Sequence, residues 1–328
     1  IAYTIKGWGT PLAGHKDNHA GLMTKIQMDS FKSKFGITEG NEWNSFLDVK
    51  EDLELNEFIK NSPFQKARHR KYNSKKIPVD NIILITETKI STQNAFGKIL
   101  DQYAKNDTEF GNRIITTSPD VSVSTNLGPW INKKGLFSRT DSSDTFRDRK
   151  IPSAQKWIFS SQGQHIELGI AEMNLFLMLG AAGLSHELFG ERLFPIGTVY
   201  DPFIARGLDA MNYACYQDAR FMIVGTPSGV SLAPEGGAHQ SIGTPLIGIS
   251  QPGLLSYEPA FADELSIIMN YGFNYLQDEN GGSIYLRLTT RSIEQPLRDI
   301  NHELKQNVIK GGYWLRKPGP NPEIIIIY

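Results

Sequence analysis

"QHIELGIAEMNLFLMLGAAGLS", residues 164–185, carries the strongest structural signal in the sequence. From Ile166 onward it has the composition of a buried segment, and its length predicts a buried helix over 169–184. Glu172 lies inside it with apolar or small neighbours on both sides. A buried carboxylate without a partner is costly, so such a group is usually protonated or paired. The stretch therefore raises the question of what Glu172 is paired with.

The segments around this helix alternate between strand and helix. We predict helices over 91–105 and 263–277, and strands within 113–120, 220–229 and 282–290. This alternation predicts an α/β fold, a doubly wound parallel sheet with helices on both faces. Because ligands of such sheets lie at the carboxyl ends of the strands, the loops of interest begin at Asp120, near Tyr200 and at Thr226.

The composition and the predicted elements change along the chain and predict four parts. Residues 1–35 are the tail of a preceding α/β domain, with a strand at 2–6 and a helix at 21–35, and residues 36–88 are an irregular connector. Residues 89–296 form the sheet domain, and residues 297–328 are a linker with the first strand of another domain. The start lacks an initiator Met and a signal peptide, and the end is the apolar run "PEIIIIY". We therefore expect an internal piece of a longer polypeptide.

Composition narrows the class of protein. The 328 residues are 40% apolar and carry a net charge of -1, which argues against a nucleic-acid surface spread over the chain. The single cysteine, Cys215, suits a reducing compartment, so we expect a cytoplasmic location. No apolar run approaches the length of about 18 residues needed for a membrane span. The basic cluster at 66–76 has no second aromatic-basic stretch to support it, which favours a solvated connector over an anion or nucleic-acid patch.

Four residues are candidates for chemistry. Glu172 is either a structural carboxylate bound to amides of the first helical turn or the partner of a ligand nitrogen. His15 and His19 are spaced i, i+4, as in a metal site on a helix, but the flanking glycines indicate a loop and no third ligand is near in the sequence. The alternatives are that the two histidines belong to an active-site loop or lie on the surface. His239 follows a Gly-rich loop, where one histidine can act as an acid, a base or a hydrogen-bond donor, although many such loops are only turns.

These pieces together resemble a known family. "GIAEMN", "LFPIGTVYDPFIARGLDAM" and "PEGGAHQSIG" resemble the pyrimidine-binding domain of the transketolase superfamily of thiamine-diphosphate enzymes, and "KGWGTPLAGHKDNHAG" resembles the stretch that closes its diphosphate-binding domain. "TPSGVSLAPEGGAHQ" and "LLSYEPAFADELSIIM" are most similar to the homodimeric pyruvate dehydrogenase decarboxylase component. The resemblance covers most of 1–30 and 90–295.

The resemblance implies roles for individual residues around thiamine diphosphate. Glu172 would bond a ring nitrogen of the aminopyrimidine and set its tautomer. The cofactor-contacting residues implied with it are Phe203, which stacks on that ring, Tyr200 beside it, Asp120 after the first strand, and Ile170 of the "GIAE" motif.

The implied substrate-facing residues are histidines. His239 matches the family's loop histidine that faces the substrate, and His19 matches the mobile-loop histidine, with His15 as second choice. The Gly-Asp-Gly…Asn motif that binds the metal and diphosphate is nowhere in this chain. The Mg²⁺ ligands are therefore expected in an upstream domain, and none in this chain.

The implied activity is oxidative decarboxylation of a 2-oxo acid, pyruvate above all, with acetyl transfer to the lipoyl domain of an acyltransferase component by a homodimer. Ser228 stands where ketose-using transketolases carry an Asp, which disfavours sugar phosphates. Arg287 and Arg291 favour the opposite conclusion, because they lie in or just after a predicted strand, from whose end their side chains can approach a phosphate. A transketolase-like ketol transferase and a catalytically silent dimerising homologue stay open as alternatives.

Overall fold

A computed structural model of the chain describes residues 3–44, 47, 52–62, 65, 74–140 and 145–326. The chain folds as two units, Ile1–Arg70 and Lys71–Tyr328, named the first and the second unit below. Most of the basic cluster predicted at 66–76 lies outside the described residues. Within the described part of the chain, no helix combines the length and the apolar character needed to cross a bilayer.

The first unit contains a short 3₁₀ helix at Lys16–His19 and the helices α1 (Lys25–Lys34) and α2 (Leu53–Asn61). Helix α1 confirms the helix predicted within 21–35, and Thr24 caps its N-terminus. Asp52 caps α2 by accepting a hydrogen bond from the backbone N–H of Leu55 at 2.8 Å, so the prediction of an irregular connector is wrong at this point. The strand predicted at 2–6 is wrong for residues 3–6, since no partner strand is described in this unit to complete a ladder.

The second unit is built on a parallel sheet of eight strands in the described residues. In chain order the strands are β2 (Ile114–Ser118), β3 (Leu136–Phe137), β4 (Phe159–Ser160), β5 (His165–Glu167), β6 (Phe194–Val199), β7 (Met222–Gly225), β8 (Leu254–Tyr257) and β9 (Ser283–Arg287). Across the sheet their order is β4, β3, β5, β2, β6, β7, β9, β8. A separate antiparallel pair joins β1 (Lys89–Ile90) to β10 (Ile293–Glu294).

Helices cover both faces of this sheet. They are α3 (Thr92–Lys105), α4 (Gly128–Lys134), α5 (Thr145–Asp148), α6 (Glu172–Gly183), α7 (Ser185–Leu188), α8 (Leu208–Tyr216), α9 (Thr244–Ser250), α10 (Ala262–Tyr275) and α11 (His302–Ile309). Successive residues of one strand enter opposite cores: Met222 and Val224 pack in the cluster with α3 and α10, whereas Ile223 packs in the cluster with α6 and α8. The predicted doubly wound α/β fold is confirmed.

Local sequence explains why these elements form. In α3 the Ser91 hydroxyl accepts from the backbone N–H of Asn94 at 3.1 Å, and the buried apolar positions recur at helical spacing. The helix α11 lies within the predicted linker, and residues 322–326 form no strand. The division of the chain into four domain parts stays a prediction.

Candidate active site

The loops singled out by the sequence meet at one edge of the sheet. Asp120 follows β2, Tyr200 follows β6 and Thr226 follows β7, and these three strands are parallel neighbours in the order given. Their carboxyl ends therefore point to the same edge, as predicted.

Glu172 is the first residue of α6 rather than an interior one. Gly169 takes a φ of +65°, and Ala171 is extended at φ -152°, so the helix cannot begin earlier. The Glu172 side chain is only 10% exposed. Within the described residues its side chain accepts a hydrogen bond from Arg206 and none from the amides of its own first turn, which does not match the alternative of a carboxylate bound to first-turn amides.

The partner of Glu172 is Arg206, a residue that the sequence did not single out. Arg206 Nη1 donates to Glu172 Oε1 at 2.7 Å, and its guanidinium lies 3.7 Å from the ring centroid of Phe203. Glu172 Oε2 has no hydrogen-bond partner within the described residues. One carboxylate oxygen is thus available to a second donor while the other is held.

A glycine permits the segment 201–207 to approach α6 this closely. A Cβ on Gly207 would lie 2.4 Å from Cδ2 of Phe176 and 2.7 Å from the backbone carbonyl oxygen of Glu172. Any larger residue at this position must displace the segment that carries Phe203 and Arg206.

Three rings form a cluster beside this ion pair. The Tyr200 and Phe203 centroids are 5.9 Å apart, and His239 lies 5.7 Å from the first and 5.5 Å from the second. Four of the predicted site residues, Glu172, Phe203, Tyr200 and His239, are therefore brought together through Arg206. The packed rings make one wall with an apolar face and polar ends.

Two buried polar atoms in this region lack partners within the described residues. They are Nδ1 of His239 and Oγ1 of Thr226. The other ring nitrogen of His239, Nε2, is 3.9 Å from Oε2 of Glu235. Because buried polar atoms in folded proteins are usually paired, each of these two atoms has a hydrogen bond left for a water molecule or a ligand atom.

Asp120 and Ile170 are less tied to the cluster. Asp120 has a φ of +65° and an exposed side chain, and its backbone N–H donates to Glu167 Oε1 at 2.8 Å. Ile170 is 78% exposed. Their roles as cofactor contacts stay predictions.

A buried network that the sequence analysis missed supports the Asp120 turn. His165 is fully buried, with Nδ1 2.8 Å from Thr116 Oγ1 and Nε2 3.1 Å from Ser122 Oγ. Ser122 Oγ donates to Glu167 Oε2 at 2.5 Å. Burial raises the pKa of Glu167, but the hydrogen bonds from His165, Ser122 and the Asp120 amide outweigh it and lower the pKa below its ordinary value. The only sequence signal was the polar alternation in "QHIE", a pattern that is equally typical of a strand with one face in solvent.

Arg287 does not match the expectation that it approaches a phosphate. It is 4% exposed, and its guanidinium is bound by the carboxylates of Asp201 and Glu258. A phosphate would have to displace both carboxylates. Arg291 is exposed, and its backbone N–H donates to Thr289 Oγ1 at 3.1 Å.

His15 and His19 belong to the first unit, around its 3₁₀ helix. His15 Nδ1 accepts from the backbone N–H of Asp17 at 3.1 Å, and His19 Nδ1 accepts from Lys6 Nζ at 2.6 Å. Both side chains are exposed, and their catalytic roles stay predictions. Across the described ranges, no group of three or more His, Cys, Asp or Glu side chains is placed to hold a metal ion.

Comparison with known proteins gives matches by sequence. The family described as "Pyruvate dehydrogenase E1 component middle domain" matches residues 85–296. The pyruvate dehydrogenase E1 component of Pseudomonas aeruginosa is 26% identical over 349 residues, which cover 97% of this chain and 37% of that protein. The same component of Cupriavidus necator is 24% identical over 343 residues, again 97% of this chain and 37% of the relative. The chain thus spans little more than a third of these relatives.

Comparison by structure gives matches among transketolases. The transketolase of Campylobacter jejuni superposes with a TM-score of 0.60 at 15% identity, over 92% of this chain and 43% of that one. The transketolase of Leishmania mexicana gives 0.57 at 16% identity. At such identities the likeness shows a shared fold and nothing finer.

Proposed function

Because the chain belongs to the pyruvate dehydrogenase E1 component middle-domain family, we propose that it supplies the pyrimidine-binding part of a thiamine-diphosphate site for oxidative decarboxylation of pyruvate or a related 2-oxo acid. The observation that carries the proposal is the contact series from Glu172 through Arg206 and Phe203 to His239. It places a buried carboxyl, a stacking ring and a titratable ring side by side.

The residues fit the aminopyrimidine end of this cofactor. Oε2 of Glu172 is free to bond a ring nitrogen, and Phe203 with Tyr200 offers an aromatic surface on which a flat ring stacks. Thiamine diphosphate, when bound, supplies the carbon centre that stabilises the carbanion left by decarboxylation. With Oε1 held by Arg206, Oε2 would be the atom that bonds the ring nitrogen and so favours one tautomer of that ring.

His239 is proposed to face the substrate. Its Nδ1 is buried without a protein partner in the described residues, so a hydrogen bond there is available to a substrate oxygen. The rings of Tyr200 and Phe203 pack against it and hold the imidazole at the edge of the ring cluster. His19, or else His15, is proposed as the second substrate-facing histidine.

The charges of the site favour a small 2-oxo acid over a sugar phosphate. The loop 226–240 contains no Lys or Arg, and Arg287 is already neutralised by two carboxylates. Ser228, where the ketose-using enzymes carry an Asp, is buried. A site built for a sugar phosphate carries polar groups that pair with the sugar hydroxyls. Such groups would be left unpaired by a substrate that lacks hydroxyls, and the site would reject that substrate strongly. Pyruvate requires only an apolar slot for its methyl group and one hydrogen-bond donor.

The proposed assembly is a homodimer that passes its acetyl group to a lipoyl domain. In this proposal each site would lie between the pyrimidine domain of one subunit and the diphosphate domain of the other. The Mg²⁺ ligands are proposed to lie in that diphosphate domain, outside this chain, since Mg²⁺ prefers several oxygen ligands together with phosphates.

The deciding assay uses the full-length protein with thiamine diphosphate and Mg²⁺. One reaction contains pyruvate and an artificial electron acceptor, and the other contains xylulose 5-phosphate and ribose 5-phosphate. We expect turnover with pyruvate only, loss of that turnover in His239→Gln, and no loss in His302→Gln, an exposed histidine on α11. Turnover with the sugars alone would identify a ketol transferase, and turnover with neither would identify a silent homologue.

A further inference from the structure

A second set of contacts at the same edge of the sheet is centred on Asp201, the residue after Tyr200. Its side chain is fully buried, and both carboxylate oxygens have partners. Oδ2 accepts from Thr244 Oγ1 at 2.6 Å and from Arg287 Nε at 3.2 Å, and Oδ1 accepts from the hydroxyl of Tyr285. Burial, and then the charge of Asp201, raise the pKa of Tyr285, so its hydroxyl remains a donor at neutral pH.

Arg287 extends these contacts to the loop that carries His239. Its Nη2 donates to the backbone carbonyl of Ser241 at 3.2 Å, while its Nη1 binds the carboxylate of Glu258. Ser241 closes the loop: its N–H donates to the carbonyl of Gly229, and its hydroxyl accepts from the N–H of Gly229, both at 2.9 Å. The end of the loop is therefore held from inside the protein.

We infer that the Asp201–Arg287 ion pair positions His239 against the rings of Tyr200 and Phe203. Asp201 belongs to the segment that carries both rings, and Arg287 holds the base of the loop that carries the histidine. Replacing a buried ion pair by neutral residues of similar volume often leaves stability unchanged, so stability alone does not explain why these charges are buried. The positioning of His239 is inferred from these contacts alone, and only the consequence of that positioning for turnover rests on the proposed function.

The test is hydrogen exchange of the backbone amides of 229–241, measured by mass spectrometry on the full-length protein. The single variant Arg287→Met leaves the Asp201 carboxylate buried without its cation and is expected to unfold at lower temperature. The double variant, Asp201→Asn with Arg287→Met, removes both charges and regains most of that stability. We expect amides of 229–241 to exchange about tenfold faster in the double variant than in the wild type, as for the loss of one anchoring hydrogen bond.

A matched pair supplies the control. Arg298 binds Asp263 through two nitrogens at 2.7 and 2.8 Å, and both side chains are largely buried. The double variant Asp263→Asn with Arg298→Met is expected to leave exchange in 229–241 unchanged.

Two outcomes would overturn the inference: wild-type exchange in the Asp201/Arg287 double variant, or equal acceleration in the control. If the double variant does not fold, Arg287→Lys decides instead. It keeps the charge but lacks a second nitrogen for the Ser241 carbonyl, so we expect faster exchange there too, and unchanged exchange would reject the inference. None of these results depends on which substrate is turned over, so a failure of the proposed activity is seen separately.

Discussion

Glu172 and Arg206 lie 34 positions apart in the chain, yet their ion pair sits at the centre of the candidate site. The two partners are not equivalent: the Glu172 side chain is 10% exposed, whereas that of Arg206 is 53% exposed. Arg206 is therefore the partner that can turn toward solvent when a ligand donor competes for the carboxylate. The buried carboxyl stays where α6 begins.

The first prediction concerns Glu172→Gln in the full-length protein. Glutamine keeps the shape of the side chain but cannot exchange a proton with the ring nitrogen of the cofactor, so we expect turnover with pyruvate to fall by about a hundredfold or more. Glu187→Gln, an exposed glutamate on α7, is the control and is expected to retain wild-type turnover. Near-wild-type turnover of Glu172→Gln would remove Glu172 from the catalytic residues.

The second prediction concerns the pH dependence of stability through Glu167. Its folded-state pKa is lowered below the ordinary value of 4.5, so its contribution is fully present above that value and is lost as pH falls through the folded-state pKa. At neutral pH we expect Glu167→Gln to be less stable than the wild type by about 1.5–3 kcal/mol, the range for hydrogen bonds to a charged group.

Urea unfolding at a series of pH values checks this. The difference between the two proteins should shrink as the pH is lowered below 4.5. A difference that stays constant down to the acid limit of folding would show that the ionised carboxylate contributes nothing specific.

At the scale of elements, the segment 201–207 depends on its close contact with α6. The third prediction is that Gly207→Ala lowers the free energy of unfolding by about 1–3 kcal/mol, because its methyl group meets the Phe176 ring and the Glu172 carbonyl. Gly237→Ala is the matched control, since a Cβ there meets nothing within 4 Å and the position does not require a positive φ.

Denaturant unfolding of both variants and of the wild type separates the cases. If Gly207→Ala is as stable as Gly237→Ala, the segment has room to shift, and the close packing would not constrain Phe203 and Arg206.

The elements were predictable from the sequence to the extent that their signals are local. The apolar spacing and the Ser91 cap of α3, and the apolar run of α6, each lie within about 15 residues and gave the correct helices. The start of α6 was misplaced because it is set by the backbone angles of Gly169 and Ala171.

The contacts of the site were less predictable, because they join distant parts of the chain. His165 reaches Ser122 across 43 positions, and Asp201 reaches Arg287 across 86. Glu172 and His239 were singled out from their sequence context, whereas Phe203 and Tyr200 received their roles only through the family resemblance. Their partners, Arg206 above all, follow only from the folded geometry.

At the scale of the whole molecule, two apolar stripes of the second unit face outward. On α6 and just before it, Ile170, Met173 and Leu177 are exposed. The other stripe, on α9 and just before it, consists of Ile242, Leu246 and Ile249. Both helices pack against the segment 201–207, so the stripes flank the candidate site. Exposed apolar residues grouped along a helix in this way are typical of a protein interface.

The last prediction is that the full-length protein is a stable dimer which buries these stripes, with an interface above roughly 2,000 Å² as in permanent assemblies. Leu177→Glu places a charge in the stripe on α6, so we expect dimer dissociation to become easier by about tenfold or more. Leu297→Glu alters a fully exposed leucine outside both stripes and is expected to leave association unchanged. Light scattering over a dilution series measures both. Since the proposed site needs both subunits, turnover should fall with the dimer fraction in Leu177→Glu. A wild-type protein that is monomeric and still active would contradict both the interface and the shared site.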